Sequence, residues 1–160
     1  MNSEPKVVQD TVNLLVALVD SKERGRQVLK SPIFTNLSSC VQSNAMDTLP
    51  SDANKGLTKA LTTVGSACED QNSKDAHWAK VIKPLSDRYN GLISRPDFKK
   101  IHNEDNIRMQ IASICESFIG IIQGTHMTTT SQIFNLIQPV LNTMVDVMGL
   151  YHNYAVFISF

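Results

Sequence analysis

Positive charge runs out two thirds of the way along this sequence. Arg108 is the last lysine or arginine, and Glu116 and Asp146 are the only ionic side chains in the 52 residues after it. A solvated domain carries both signs over its whole surface. So bare a stretch, closing on Tyr154-Ala155-Val156-Phe157-Ile158-Ser159-Phe160, is expected to be covered by further protein. The reading is of a piece of a larger chain. A small protein with an apolar tail is the alternative.

Other shortages exclude whole classes. Charged residues make up 19% of the chain, with 15 basic balanced by 15 acidic. Nucleic-acid binding draws on a basic surplus, so no nucleic acid is expected as a partner. Three cysteines, Cys40, Cys68 and Cys115, are an odd number with no close pairing. That argues against a disulfide framework and fits a reducing compartment. Glycines are few and form no phosphate-binding loop. The start, Met1-Asn2-Ser3-Glu4-Pro5, lacks the basic and apolar regions of a signal peptide. The run from Ser117 to Val145 has no ionic side chain, and its length suits a membrane span. It holds His126, the hydroxyl run Thr128 to Ser131, Gln132, Gln138 and Pro139, which a span rarely tolerates. No membrane insertion is expected.

What the chain does have is helical periodicity and, at 42% hydrophobic residues, enough apolar content for a core. Six segments repeat apolar residues at the three-four spacing of one helix face. In the first, Val7, Thr11, Leu14 and Leu18 run beside a parallel set, Val8, Val12, Leu15 and Val19. The second has Ile33, Phe34, Leu37 and Val41 after Ser31-Pro32, a favourable start. Leu57, Leu61, Val64 and Cys68 mark the third, and Trp78, Ile82, Leu85, Tyr89 and Leu92 the fourth. The fifth has Ile107, Ile111, Ile114, Phe118 and Ile121, and the sixth Ile133, Ile137, Val140, Met144 and Met148. No strand alternation is present, and residues 43–52, 69–75 and 123–130 read as connections. Pro84 and Pro139 fall inside helical patterns and are expected to kink them.

The fold expected is therefore all-α. Residues 1–160 form a single segment of three antiparallel helix pairs, approximately 5–43, 51–95 and 104–150. Their starts near 5, 51 and 104 approach the period of about 40–47 residues in two-helix solenoid repeats. HEAT-like repeats forming part of a superhelical solenoid are the expected architecture, with a self-contained bundle as the alternative.

Chemistry is sparse. His77, His102, His126 and His152 sit in separate segments with no partner at ligand spacing, so no metal site is expected. Cys68 and Cys115 border apolar stripes and read as small core hydrophobes. Glu104-Asp105 could pair for acid–base work, but an acidic helix start explains them. The basic run from Lys22 to Lys30, with Asp20 and Glu23 beside it, reads as a solvated turn or a protein contact. Trp78 reads as a core anchor. No catalytic or cofactor-binding residue is assigned, and no enzyme is expected. Opposite the apolar stripes lie Lys80, Lys83, Asp87 and Asn90 in the fourth helix, and Asn135, Gln138, Asn142 and Asp146 in the sixth. In a solenoid the second helices line the concave face, so these stripes are either a mixed and a neutral wall for a partner or simply solvated.

Three stretches carry a resemblance. They are Asp10-Thr11-Val12-Asn13-Leu14-Leu15-Val16-Ala17-Leu18-Val19-Asp20 with Lys22-Glu23-Arg24, His77-Trp78-Ala79-Lys80-Val81-Ile82-Lys83-Pro84-Leu85 with Arg88-Tyr89 to Ile93, and Ile133-Phe134-Asn135-Leu136-Ile137-Gln138-Pro139-Val140-Leu141 with Gly149-Leu150-Tyr151. In this order they resemble exportins, nuclear transport receptors of the importin-β superfamily, over about residues 10–155. None is a catalytic signature. The resemblance implies HEAT repeats and a receptor that carries protein cargo through nuclear pores under control of the GTPase Ran. Its partners would be cargo, Ran-GTP and nuclear pore proteins, and it would shuttle between nucleus and cytoplasm. The N-terminal repeats that usually hold Ran are not among the matching residues. A HEAT or armadillo-type scaffold without a transport role is the alternative, and an all-α enzyme with a polar pocket the more distant one.

Overall fold

The computed structural model describes residues 3–125 and 130–151. His126, Thr128, Thr129, His152 and the apolar tail 154–160 lie outside the described residues. Every regular element described is helical: α1 (Ser3–Val19), α2 (Lys22–Leu29), α3 (Pro32–Gln42), a 3-10 turn (Asn44–Thr48), α4 (Ser51–Gly65), α5 (Gln71–Ile93), α6 (Phe98–Ile101), α7 (Asp105–Gln123) and α8 (Thr130–Tyr151).

Local chemistry sets several boundaries differently from the periodic pattern. Lys22–Leu29 is a helix, not a turn, with Lys30 at its C-cap. Ser21 caps it by accepting from the Arg24 amide at 3.3 Å, and Glu23 stands in the first turn. Its basic side chains are solvated as expected, but Arg24 also turns back. Its guanidinium donates to the Leu18 carbonyl at 3.1 Å and the Ala17 carbonyl at 3.4 Å, satisfying the free end of α1. Helix α5 begins at Gln71, inside the expected 69–75 connection. Asp70 caps it, accepting from the Ser73 amide at 2.9 Å and the Ser73 hydroxyl at 2.6 Å. Helix α4 stops at Gly65, three residues before Cys68. Pro84 and Pro139 lie inside α5 and α8.

The core gathers the large apolar residues of the middle helices. Leu57, Leu61, Val64, Trp78, Ile82, Leu85 and Tyr89 are buried, and so is the whole expected α7 stripe, Ile107, Ile111, Ile114, Phe118 and Ile121. Among the described side chains of α1, Val12, Leu15 and Val19 are buried, while Val7, Leu14 and Leu18 are exposed. In α8 the expected Met148 is 68% exposed, and Val147 and Tyr151 are buried instead. The buried set Ile133, Ile137, Val140, Val147 and Tyr151 with half-buried Met144 keeps a strict four-three alternation. Residues Gln132–Tyr151 are long and apolar enough to cross a membrane by length and composition, at mean hydropathy 1.3. The same helix packs its buried stripe against α5.

Helices α4 and α5 are antiparallel. Leu61 and Thr62, late in α4, meet His77 and Trp78, early in α5, while Asp47, just ahead of α4, ion-pairs with Arg88 late in α5. His77 Nε2 donates to the Leu61 carbonyl at 2.6 Å, which fixes its tautomer, and Trp78 Nε1 donates to the Thr62 carbonyl at 3.3 Å. Both side chains so cover the C-terminal carbonyls of α4. A Cβ on Gly65 would land on the two rings.

The most extensive helix contact is α4 against α7. The Asn54 amide donates to Ser113 Oγ at 2.9 Å, Thr58 Oγ1 to the Ser117 carbonyl at 2.8 Å, and Thr63 Oγ1 to the Gly124 carbonyl at 3.4 Å. The sequence offset stays near constant along these bonds, so α4 and α7 run parallel. Ser113, Ser117, Gly120 and Gly124 repeat at four, three, four and let the backbones approach: a Cβ on Gly120 would meet the Lys55 carbonyl and the Thr58 hydroxyl. Lys55 and Glu116 close the rim at 3.6 Å.

The result is two rows. Helices α1, α4 and α7 pack in one, α3, α5 and α8 in the other, and α4 with α5 joins them. Direct contact between α7 and α8, and between α1 and α3, is slight, so neighbours in the stack, not in sequence, supply most of the packing.

Candidate docking grooves on the second row

The α3/α5/α8 row carries two open grooves. The first, about 520 Å³, lies between α3 and α5 and is lined by Gln42, Ala79, Lys80, Lys83, Pro84, Asp87 and Arg88. The three-four spacing of Lys80, Lys83 and Asp87 sets them on one side of α5, because Trp78, Ile82, Leu85 and Tyr89 hold the other in the core. Lys83 Nζ stands 3.6 Å from the Asp87 carboxylate, with both side chains mostly solvated. Arg88 differs: its side chain is 17% exposed, Nη2 ion-pairs with Asp47, and Nη1 is buried with no hydrogen-bond partner among the described residues. The expected stripe of Lys80, Lys83, Asp87 and Asn90 is thus exposed as read. Gln42, Arg88 and Asp47 were not singled out, since only the fold brings α3 and the 3-10 turn beside α5.

The second groove, about 440 Å³, opens between α5, α6 and α8. Ile93, Phe98, Val147 and Leu150 give it an apolar base, with Arg95, Lys99 and Asp146 among its polar lining. Arg95 is held by Asp97 at 3.0 Å, and the Tyr151 hydroxyl donates to the His102 carbonyl at 2.6 Å, tying α8 to the end of α6. Tyr89 of α5 is fully buried, and burial pushes its phenol up to about 12. Asn135, Gln138, Asn142 and Asp146 of α8 are exposed. That face is not simply amide-rich, however, because Phe134, Leu136, Val145 and Met148 are exposed among them. Met109, Ile119 and Ile122 of α7 are exposed too.

The isolated ionisable groups find structural surroundings. His77 is buried, stacked on Phe34 at 5.3 Å between ring centres, and desolvation holds its imidazole below the ordinary 6.5. Burial pushes the Cys115 thiol up to about 11 and raises Cys68 as well, the reverse of an activated nucleophile. Asp105 ion-pairs with Arg108 in the first turn of α7, and Glu104 precedes it at the cap position. Among the described residues, no group of three or more His, Cys, Asp or Glu side chains is placed to hold a metal ion. No family model matches this chain, and no solved structure matches it.

Proposed function

We propose that this chain is a non-catalytic helical scaffold that binds other proteins along its α3/α5/α8 row. The observation that carries the reading is the two-row stacking, with each helix packed on its counterpart in the next pair and both grooves open along one row. Stacking of this kind supports HEAT-like repeats in a solenoid, where each unit contacts only its neighbours and one row lines the binding face.

The resemblance to exportins supports a narrower form: part of a nuclear transport receptor that shuttles between nucleus and cytoplasm and carries protein cargo past nuclear pore proteins. Small changes in packing between units would alter curvature, and Ran-GTP and cargo would be coupled by favouring the same curvature.

Two measurements test these levels separately. A photo-crosslinking residue placed at Asn90 or Asn142, both exposed on the row, should give discrete protein adducts in cells, and one at exposed Lys6 of α1 should not. Absence of adducts at both row positions sinks the scaffold reading. A full-length protein that carries this segment should capture Ran loaded with GTP in preference to Ran loaded with GDP. Adducts without that preference leave a scaffold with no transport role.

A further inference from the structure

We infer that the α3/α5 groove is a docking site for an acidic peptide segment. The inference rests on the scaffold reading and names its partner's chemistry. Lys80, Lys83 and Arg88 line the groove with Asp87; Asp47 pairs with Arg88 and Asp87 with Lys83, which leaves Lys80 over. Lys80 is exposed and has no carboxylate within ion-pair distance among the described residues. The Lys83–Asp87 pair is 3.6 Å long and solvated on both sides, so an incoming carboxylate exchanges with Asp87 at little cost.

Arg88 is already committed. Asp47 holds its guanidinium in an ion pair, with the side chain 17% exposed, so Arg88 is a fixed wall of the groove. The charge open to an incoming carboxylate is that of exposed Lys80 and Lys83 on the same side of α5. Ala79 and Pro84 give the same groove an apolar patch, so an acidic segment with an aliphatic residue between its carboxylates fits both. From Lys80 to Arg88 the helix rises about 12 Å, the reach of about four extended residues. A phosphodiester chain fits less well, because Asp87 interrupts the cations and the protein carries no net positive charge to draw it in.

The test uses the whole 160-residue chain and a fluorescein-labelled peptide, Glu-Leu-Glu-Glu-Leu-Glu, followed by anisotropy against its Gln-Leu-Gln-Gln-Leu-Gln counterpart and a labelled oligo-dT. Saturable binding of the acidic peptide alone is expected. The double variant Lys80→Glu with Lys83→Glu should weaken it about tenfold, and Asp87→Lys should tighten it about threefold. Lys22→Glu with Lys30→Glu on α2 should leave it unchanged. All these positions are exposed, and circular dichroism checks the fold. The gain expected from Asp87→Lys cannot come from unfolding. Equal affinity for both peptides, tighter binding of oligo-dT, no saturable binding, or indifference to the α5 variants overturns the proposal. If it fails while adducts at Asn90 and Asn142 persist, the acidic-peptide assignment falls alone. If the adducts are absent as well, the scaffold reading falls with it.

Discussion

Thr58 donates its hydroxyl to the main-chain carbonyl of Ser117 at 2.8 Å, across 59 residues of chain and inside the core. The same hydroxyl lies within 2.9 Å of the Asn54 carbonyl in its own helix. A threonine that alone would read as a solvent-facing position is therefore part of the most extensive helix contact among the described residues. The bond exists because Gly120, one turn further along α7, brings the two backbones within reach.

Gly120→Ala should separate α4 from α7, because the new methyl meets the Lys55 backbone, which cannot swing away, as well as the Thr58 hydroxyl. Overpacking of this kind costs about 2–3 kcal/mol. Gly91, in α5, has open space at its Cβ position. There Gly→Ala should stabilise by about 0.5 kcal/mol through the unfolded chain's lost freedom. Urea denaturation of the two variants should shift the midpoint in opposite directions, and a shift of the same sign in both would contradict the seam.

Trp78 is the only tryptophan and is 1% exposed. Its fluorescence maximum in the folded protein should be blue-shifted and should move red on unfolding. Trp78→Ala should cost about 3–5 kcal/mol, combining lost transfer energy with the cavity left behind. An emission maximum of fully hydrated tryptophan in native buffer would contradict the burial.

His77 should make stability depend on pH in one direction. Its folded imidazole is held below 6.5, so below that pH the unfolded chain takes up a proton that the folded chain refuses. Stability from this group is complete above 6.5 and falls as pH drops, until the folded pKa is passed. His77→Gln keeps a donor for Leu61 and removes the titration. Between about pH 8 and about pH 5, the parent should lose more stability than His77→Gln, and equal losses would contradict the neutral, buried assignment.

Cys115, with its thiol pushed up to about 11, should be the slowest of the three cysteines to react with an aromatic disulfide reagent near pH 8, where only about one thiol in a thousand is ionised. Cys115→Ala should leave the fast phase of labelling unchanged. Loss of a fast phase in that variant would mean the thiol is open and activated.

The fold was legible where burial depends on large apolar side chains. All five residues of the α7 stripe and the Trp78, Ile82, Leu85, Tyr89 set occupy the core as their spacing predicts. It was not legible where neighbours decide. The two stripes of α1 differ only by Thr11 in the first, and little that is local says that α4 covers Val12 and Leu15 but not Leu14. The seam was missed altogether, since Asn54, Thr58, Ser113 and Ser117 suggest solvent, and Gly120 and Gly124 suggest a break. Their partners lie about 60 residues away. The groove shows the same division. Lys80, Lys83 and Asp87 follow from the face opposite Trp78, while Arg88 gains its importance only from Asp47, 41 residues earlier.

The polar seam also has a mechanical consequence. Directional bonds and glycine contacts fasten α4 to α7 along their length, whereas α3, α5 and α8 meet through apolar packing beside open surface grooves. A stack riveted along one edge and grooved along the other is stiffer on the first side than on the second. When it flexes, the fastened edge keeps its length and the grooves change width. Any strain applied to this chain would therefore be felt as a change in the spacing of Lys80, Lys83 and Arg88 from the helices beside them, with the register of Asn54 on Ser113 left as it is.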